Sequence, residues 1–193
     1  MQTFDQIDKI RLRELLRRNW MTHDGMWFYH CLQECGIEKT NKVNKAAVRC
    51  MGQIEVKRIK KALDIDDVKT FYDLQFLIKE GFEIIRADFM KFNLSFPSHN
   101  VFQWDMPNCF AFEGIKMMGA IEHYQCGIID RVLGWFDTLK IEYSYAPHEE
   151  GCLLQSGLHP TGWTKYDRVV GRNQIPFMRE KGTCHEAPKE LCC

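Results

Sequence analysis

The chain carries no net charge: 26 lysines and arginines balance 26 aspartates and glutamates over 193 residues. No global field therefore recruits nucleic acid or an anionic membrane, and neither is expected as a partner. It also lacks any apolar run approaching the roughly 18 residues that a membrane span requires. The first residues, M-Q-T-F-D-Q-I-D-K-I-R, have no basic segment followed by an apolar core. A secretory signal is therefore not expected, and a cytoplasmic location is. No internal repeat is visible, which argues against a solenoid or propeller.

What is present fits an ordinary globular protein, with 45% apolar and 27% charged residues. The length suits one domain, with or without a helical appendage. Nine cysteines form an odd set, and without a secretory signal they are expected as reduced thiols rather than bridges. Cys31, Cys35 and Cys50 lie at helical spacings, where a cysteine also serves as a small core side chain.

Hydrophobic periodicity divides the chain into a helical N-terminal half over 1–82, a cysteine-rich half over 83–156 that joins it in one compact unit, and an irregular tail over 157–193. A first helix is predicted over 4–19, with Phe4, Ile7, Ile10, Leu15 and Leu16 near one stripe. A second covers 23–35 and stops at Gly36. A third, over 40–63, turns Val43, Ala47, Cys50, Ile54 and Leu63 inward. Its many lysines and arginines have no interleaved aromatics for base stacking, so they read as a solvated face. Asp66 or Asp67 would cap a fourth helix that runs to Glu80 and ends at Gly81.

The pattern then alternates over 83–94 and 101–106 across the polar turn P-S-H-N, which predicts a hairpin or two strands of a small antiparallel sheet. Helical periodicity returns over 110–118 and 127–139. Strands are expected over 140–145 and 152–155, and from 156 the chain reads as irregular. Helices followed by an antiparallel sheet with two further helices argue an α+β fold.

The chemistry concentrates between Cys109 and Cys152. His123 with Cys126, and His148 with Cys152, are pairs whose ligand types suit zinc, although neither pair is a Cys-x-x-Cys. Cys109 and Cys126 also precede predicted helices, where the helix dipole and unpaired N–H groups favour a thiolate. Either could act as a nucleophile, with His123, Glu113 or Glu122 moving protons. In the helical half, Asp24, Trp27 and His30 fall near one face and Glu55 and Arg58 stand at i, i+3. These could hold a small polar ligand, or Glu55 and Arg58 could form a plain intrahelical ion pair. Cys184, His185, Cys192 and Cys193 carry no assignment.

The run H-D-G-M-W-F-Y-H-C-L-Q-E-C-G-I-E-K-T, followed by C-M-G-Q-I-E-V-K-R-I-K-K-A-L, resembles the bacterial family named after L-2-amino-thiazoline-4-carboxylic acid hydrolase. So does the later order of Cys109, Cys126 and Cys152. The resemblance spans about residues 15–155. It implies opening of a small cyclic amidine by water or a thiolate, with Cys109 or Cys126 as nucleophile or ligand and Glu55 and Arg58 positioning a carboxylated substrate.

The stretch C-G-I-I-D-R-V-L-G-W-F-D-T-L-K-I-E-Y-S-Y-A-P-H-E-E-G-C-L is also similar to the 4-vinyl reductase domain. That similarity implies a dimer-prone α+β sensor module for small aromatic ligands, and in some members zinc. Cys126, Glu142 and Cys152 would correspond to ligand positions. The domain's further cysteine is here Ser144 or Tyr145, with His148 as the substitute. Three readings therefore stand: a hydrolase-like enzyme with a cysteine-lined pocket, a small-molecule-binding homodimer with or without zinc, and a scaffold whose tail docks another protein.

Overall fold

Asp8 starts the first long helix. Its side chain accepts from the N–H groups of Ile10 and Arg11, both at 3.0 Å, and so satisfies two donors that a helix start leaves unpaired. In the computed structural model, which describes residues 3–96, 101–145 and 161–166, this helix (α1) spans Lys9–Ala62. Gly36 breaks it with φ 74° and ψ 167°, a conformation that residues with a Cβ rarely adopt. An added Cβ there would meet nothing within 4 Å, so the backbone angle and not the space calls for glycine. Thr40 Oγ1 donates to the Gly36 carbonyl at 2.8 Å and closes the break.

The expected stop at Gly36 is therefore found, but the helices expected over 4–19 and 23–35 are continuous. Nothing between Asn19 and Thr22 is a glycine or proline, and polar residues there weaken a helix by only roughly 0.7 kcal/mol each. Arg17 and Met21 anchor this stretch to the body of the protein.

Helix α2, Phe71–Ile85, is capped by Thr70 and not by Asp66 or Asp67. Thr70 Oγ1 accepts from the Asp73 N–H at 3.2 Å, and Asp73 Oδ2 accepts from the N–H groups of Thr70 at 2.8 Å and Lys69 at 2.9 Å. This reciprocal box, the Thr70 N–H first, holds the Asp73 carboxyl below its usual range. The helix does not end at Gly81. Gly81 is there because Trp135 presses on it: a Cβ would lie 2.7 Å from the indole ring. At the other end, buried Arg17 donates from Nε to the Ile84 carbonyl at 3.0 Å and from Nη2 to the Glu83 carbonyl at 2.7 Å. A cation thus covers the carbonyls that a helix end leaves open.

Strand β1, Lys91–Ser95, pairs antiparallel with β2, Val101–Asn108. The two expected strands do pair, although β1 starts later than 83 because α2 continues to Ile85. Phe92 of β1 and Phe102, Trp104 and Met106 of β2 are buried at alternate positions, as a strand with one covered face requires. Helix α3 is Phe110–Met117, α4 is Ile128–Leu139, and β3 is Tyr143–Tyr145.

A further strand, β4 at Thr161–Tyr166, pairs with both β2 and β3, giving the order β1-β2-β4-β3. The sequence placed these residues in an irregular tail; Thr161, Trp163, Thr164 and Tyr166 are strand-favouring types, and pairing with β2 and β3 on both sides gives them a place in the sheet. The strand expected over 152–155 lies outside the described residues. The described residues are thus mostly helical, with one four-stranded antiparallel sheet among them. No helix among the described residues is long and apolar enough to cross a membrane.

Helix α4 lies along the second part of α1 at backbone-to-backbone range. A Cβ on Gly52 would collide with the Arg131 carbonyl, and one on Gly134 with the Arg49 carbonyl. Around this contact Trp135 and Phe136, each 1% exposed, join Val56, Leu74, Leu77 and Ile78 in the core. This contact joins α1 directly to α4. Gly134→Ala is expected to lower stability by about 1–3 kcal/mol, because the helices must part. Gly25→Ala, whose Cβ meets nothing within 4 Å, should change it by no more than about 1 kcal/mol, in the stabilising direction. Urea unfolding of the two variants checks both.

Candidate functional site

A cavity of about 550 Å³ lies among α1, α2, the sheet, α3 and α4. Met21, Asp24 and Phe28 reach it from α1, Phe82 and Ile85 from α2, Phe92, Trp104 and Met106 from the sheet, and Phe110, Ala111 and Gly114 from α3. Tyr124, edge-on to Phe28 with ring centroids 5.6 Å apart, closes one side. Phe89 and Phe110, 5.1 Å apart, close another. Trp104 buries its indole N–H with no hydrogen-bond partner among the described residues, a loss of about 1–3 kcal/mol that the aromatic packing around it must offset.

Polar groups on the wall are few. Arg131 enters from α4 and is held by Glu55 of α1 through two bonds, Nε to Oε2 at 2.8 Å and Nη2 to Oε1 at 2.5 Å. Trp135 Nε1 donates to the same Oε2 at 3.0 Å. Both charged side chains are largely buried, with 11% of Arg131 and 14% of Glu55 exposed, and the guanidinium stacks over the Trp20 ring at 4.9 Å. Such a pair holds only because the forked geometry satisfies both partners. Asp24 lies half exposed at the cavity edge, 3.6 Å from His23 Nδ1. Partial burial pushes its carboxyl above the usual carboxylate range, against the opposing pull of His23 and Arg131.

The residues singled out in the sequence are dispersed by this geometry. Asp24 lines the cavity, whereas Trp27, 45% exposed, and His30 turn outward. At 100° per residue the inward face of α1 runs through positions 21, 24 and 28, and positions 27 and 30 leave it. Glu55 has both oxygens engaged by Arg131 and Trp135 and does not stand free for a substrate. Arg58, three residues on, is exposed.

Cys109 caps α3, its Sγ accepting from the Phe112 N–H at 3.4 Å, which fits the expected place before a helix. It packs against the main core, while Cys126 packs in a smaller cluster with Phe28, Ile115 and Tyr124. His123 is exposed, and the backbone around it is clamped by Asn41, which donates to the His123 carbonyl at 2.7 Å and accepts from the Gln125 N–H at 3.1 Å. Glu142 is exposed, and His148 and Cys152 lie outside the described residues. Among the described residues no group of three or more histidine, cysteine or carboxylate side chains is placed to hold a metal. Cys126, His123 and Glu142 thus do not by themselves make the expected zinc site. Cys31, Cys35, Cys109 and Cys126 carry free thiols, whereas Cys50 is disulfide-bonded rather than reduced.

Sequence reasoning missed Arg131 and Trp20. Glu55 and Arg131 are 76 residues apart, and no local spacing joins them. The one available hint was an arginine amid the apolar run of α4.

The chain belongs to a family of unknown function (DUF6125), matched over residues 3–126. The matched part holds α1 through α3, and so most of the cavity wall, but not Arg131. No curated protein and no solved structure matches the chain.

Removal of the Glu55 carboxylate leaves a buried guanidinium and an indole N–H unpaired. Glu55→Ala should therefore destabilise the protein by about 3–5 kcal/mol. The double variant Glu55→Ala/Arg131→Met should lose less than Glu55→Ala alone, as no buried charge is then stranded. Chemical denaturation of the three proteins gives the comparison.

Proposed function

We propose that this protein is a small-molecule-binding module whose ligand occupies the cavity between α1, α2, the sheet and α3. The observation that carries this reading is the cavity itself: about 550 Å³, within the roughly 300–1,000 Å³ of ligand sites, and apolar apart from a few placed polar groups. Met21, Met90, Met106 and Met118 contribute to its wall, and thioether side chains adapt to ligands of varied outline. The resemblance to the 4-vinyl reductase domain would imply the same kind of module, a homodimeric sensor. The test is a neutral apolar fluorophore, N-phenyl-1-naphthylamine. It should bind with saturable, one-to-one fluorescence enhancement. Gly114→Phe, which projects a ring from a position with nothing within 4 Å of its Cβ, should weaken it at least about tenfold while leaving the melting temperature near that of the unaltered protein. Non-saturable binding, or equal binding by Gly114→Phe, would sink the proposal.

A second reading, a hydrolase acting on a small cyclic amidine, is favoured by one observation. Cys109 caps α3, and the next two residues, Phe110 and Ala111, line the cavity. A thiolate there would add to the amidine carbon, and the tetrahedral intermediate would expel one heteroatom before water releases the product. Under this reading Cys109→Ser abolishes turnover of a cyclic amidine, and Cys126→Ser, in the neighbouring cluster, reduces it. Full turnover by both variants would refute the thiol mechanism. Zinc at Cys126 and Cys152 forms no step of either reading.

A further inference from the structure

Three charged side chains face the cavity among the described residues: Arg18, Asp24 and Arg131. The two cations already have anionic partners. Arg131 is held in a fork by Glu55. Arg18 Nε lies 3.1 Å from Glu14 and its Nη2 3.9 Å from Asp88, while its guanidinium covers the Phe89 ring at 5.3 Å. The partner of Asp24 is His23, 76% exposed and 3.6 Å away, where solvent weakens the pair. The ligand-facing charge left without a full counterion is therefore negative, and it stands at the edge of an aromatic chamber.

We infer that the cavity selects hydrophobic cations: an aromatic body enclosed by Phe28, Phe92, Trp104 and Phe110, and a protonated amine at Asp24. This rests on the cavity being a ligand site and adds the charge class of its ligand. A carboxylated ligand is disfavoured by the same geometry. Arg131 and Arg18 are already paired with Glu55 and Glu14, and the ligand's own charge would sit beside Asp24. Desolvation acts in the same direction, because Asp24 is partly buried already and a cation placed against it recovers the lost hydration of the carboxylate.

The experiment compares three naphthalenes of similar size at pH 7 in competition with N-phenyl-1-naphthylamine. They are 1-naphthylmethylamine, which is protonated, 1-ethylnaphthalene, which is neutral, and 1-naphthylacetate, which is anionic. The amine is expected to bind about three- to tenfold more tightly than the neutral compound, and the acetate more weakly than either. In Asp24→Asn the ratio between amine and neutral compound should fall to below about twofold, and in the unaltered protein 0.5 M NaCl should compress it. An amine no tighter than 1-ethylnaphthalene, or a ratio unchanged in Asp24→Asn, overturns the charge selection and leaves the cavity reading standing. If none of the three competes and the fluorophore itself does not bind, the cavity reading falls and this inference with it.

Discussion

The close approach of α1 and α4 is the constraint on which the rest depends. Gly52 and Gly134 each face a carbonyl of the opposite helix, so the two backbones touch where side chains would ordinarily separate them. That contact places Arg131 beside Glu55 and carries Trp135 into the gap over Gly81. From there the effects spread through packing. Trp135 lies against Phe82, 5.5 Å between ring centroids, and Phe82 in turn lies against Phe92 at 5.6 Å. The sheet is thereby seated on α2 and one wall of the cavity follows. Interiors packed at this density transmit position from one element to the next.

Polar groups reinforce the same helix pair at its other end. Arg49 reaches Asp137 at 2.8 Å and the Tyr143 hydroxyl at 3.0 Å, so α1, α4 and β3 meet at one guanidinium. Thr138 Oγ1 donates to the Gln53 carbonyl at 3.3 Å. Arg17, Thr40 and Asn41 are all nearly buried, and each satisfies backbone groups that a helix end, a helix break or a loop would leave open. The polar side chains buried in this protein serve mainly as backbone caps and clamps. This leaves the cavity lining largely apolar and makes Asp24 stand out.

Local signals in the chain were sufficient for much of the architecture. Gly36 marks the break in α1 because its backbone angle is a property of glycine itself. Period-2 burial at Phe102, Trp104 and Met106 and the 3.6-residue period of α4 mark a strand and a helix wherever those residues end up. Signals that depend on a distant partner were misread. Gly81 looked like a helix stop when its role is to admit Trp135, and the Thr70–Asp73 box was passed over for nearby aspartates of the same type. Cys109 was correctly placed before a helix, since capping depends on three or four consecutive residues.

The site divides along the same line. By itself the sequence determined most of the helical segments, where α1 must break and which strand faces are apolar. Only the tertiary structure decided that Glu55 serves Arg131 and Trp135 instead of a ligand, that Trp27 and His30 turn outward, and that residues 161–166 complete a sheet. The physical reason is range. Helix periodicity, caps and glycine angles act within a few residues. The counterion of Arg131 and the β4 partner of β2 come from positions 56 to 76 residues away, and no local pattern records them.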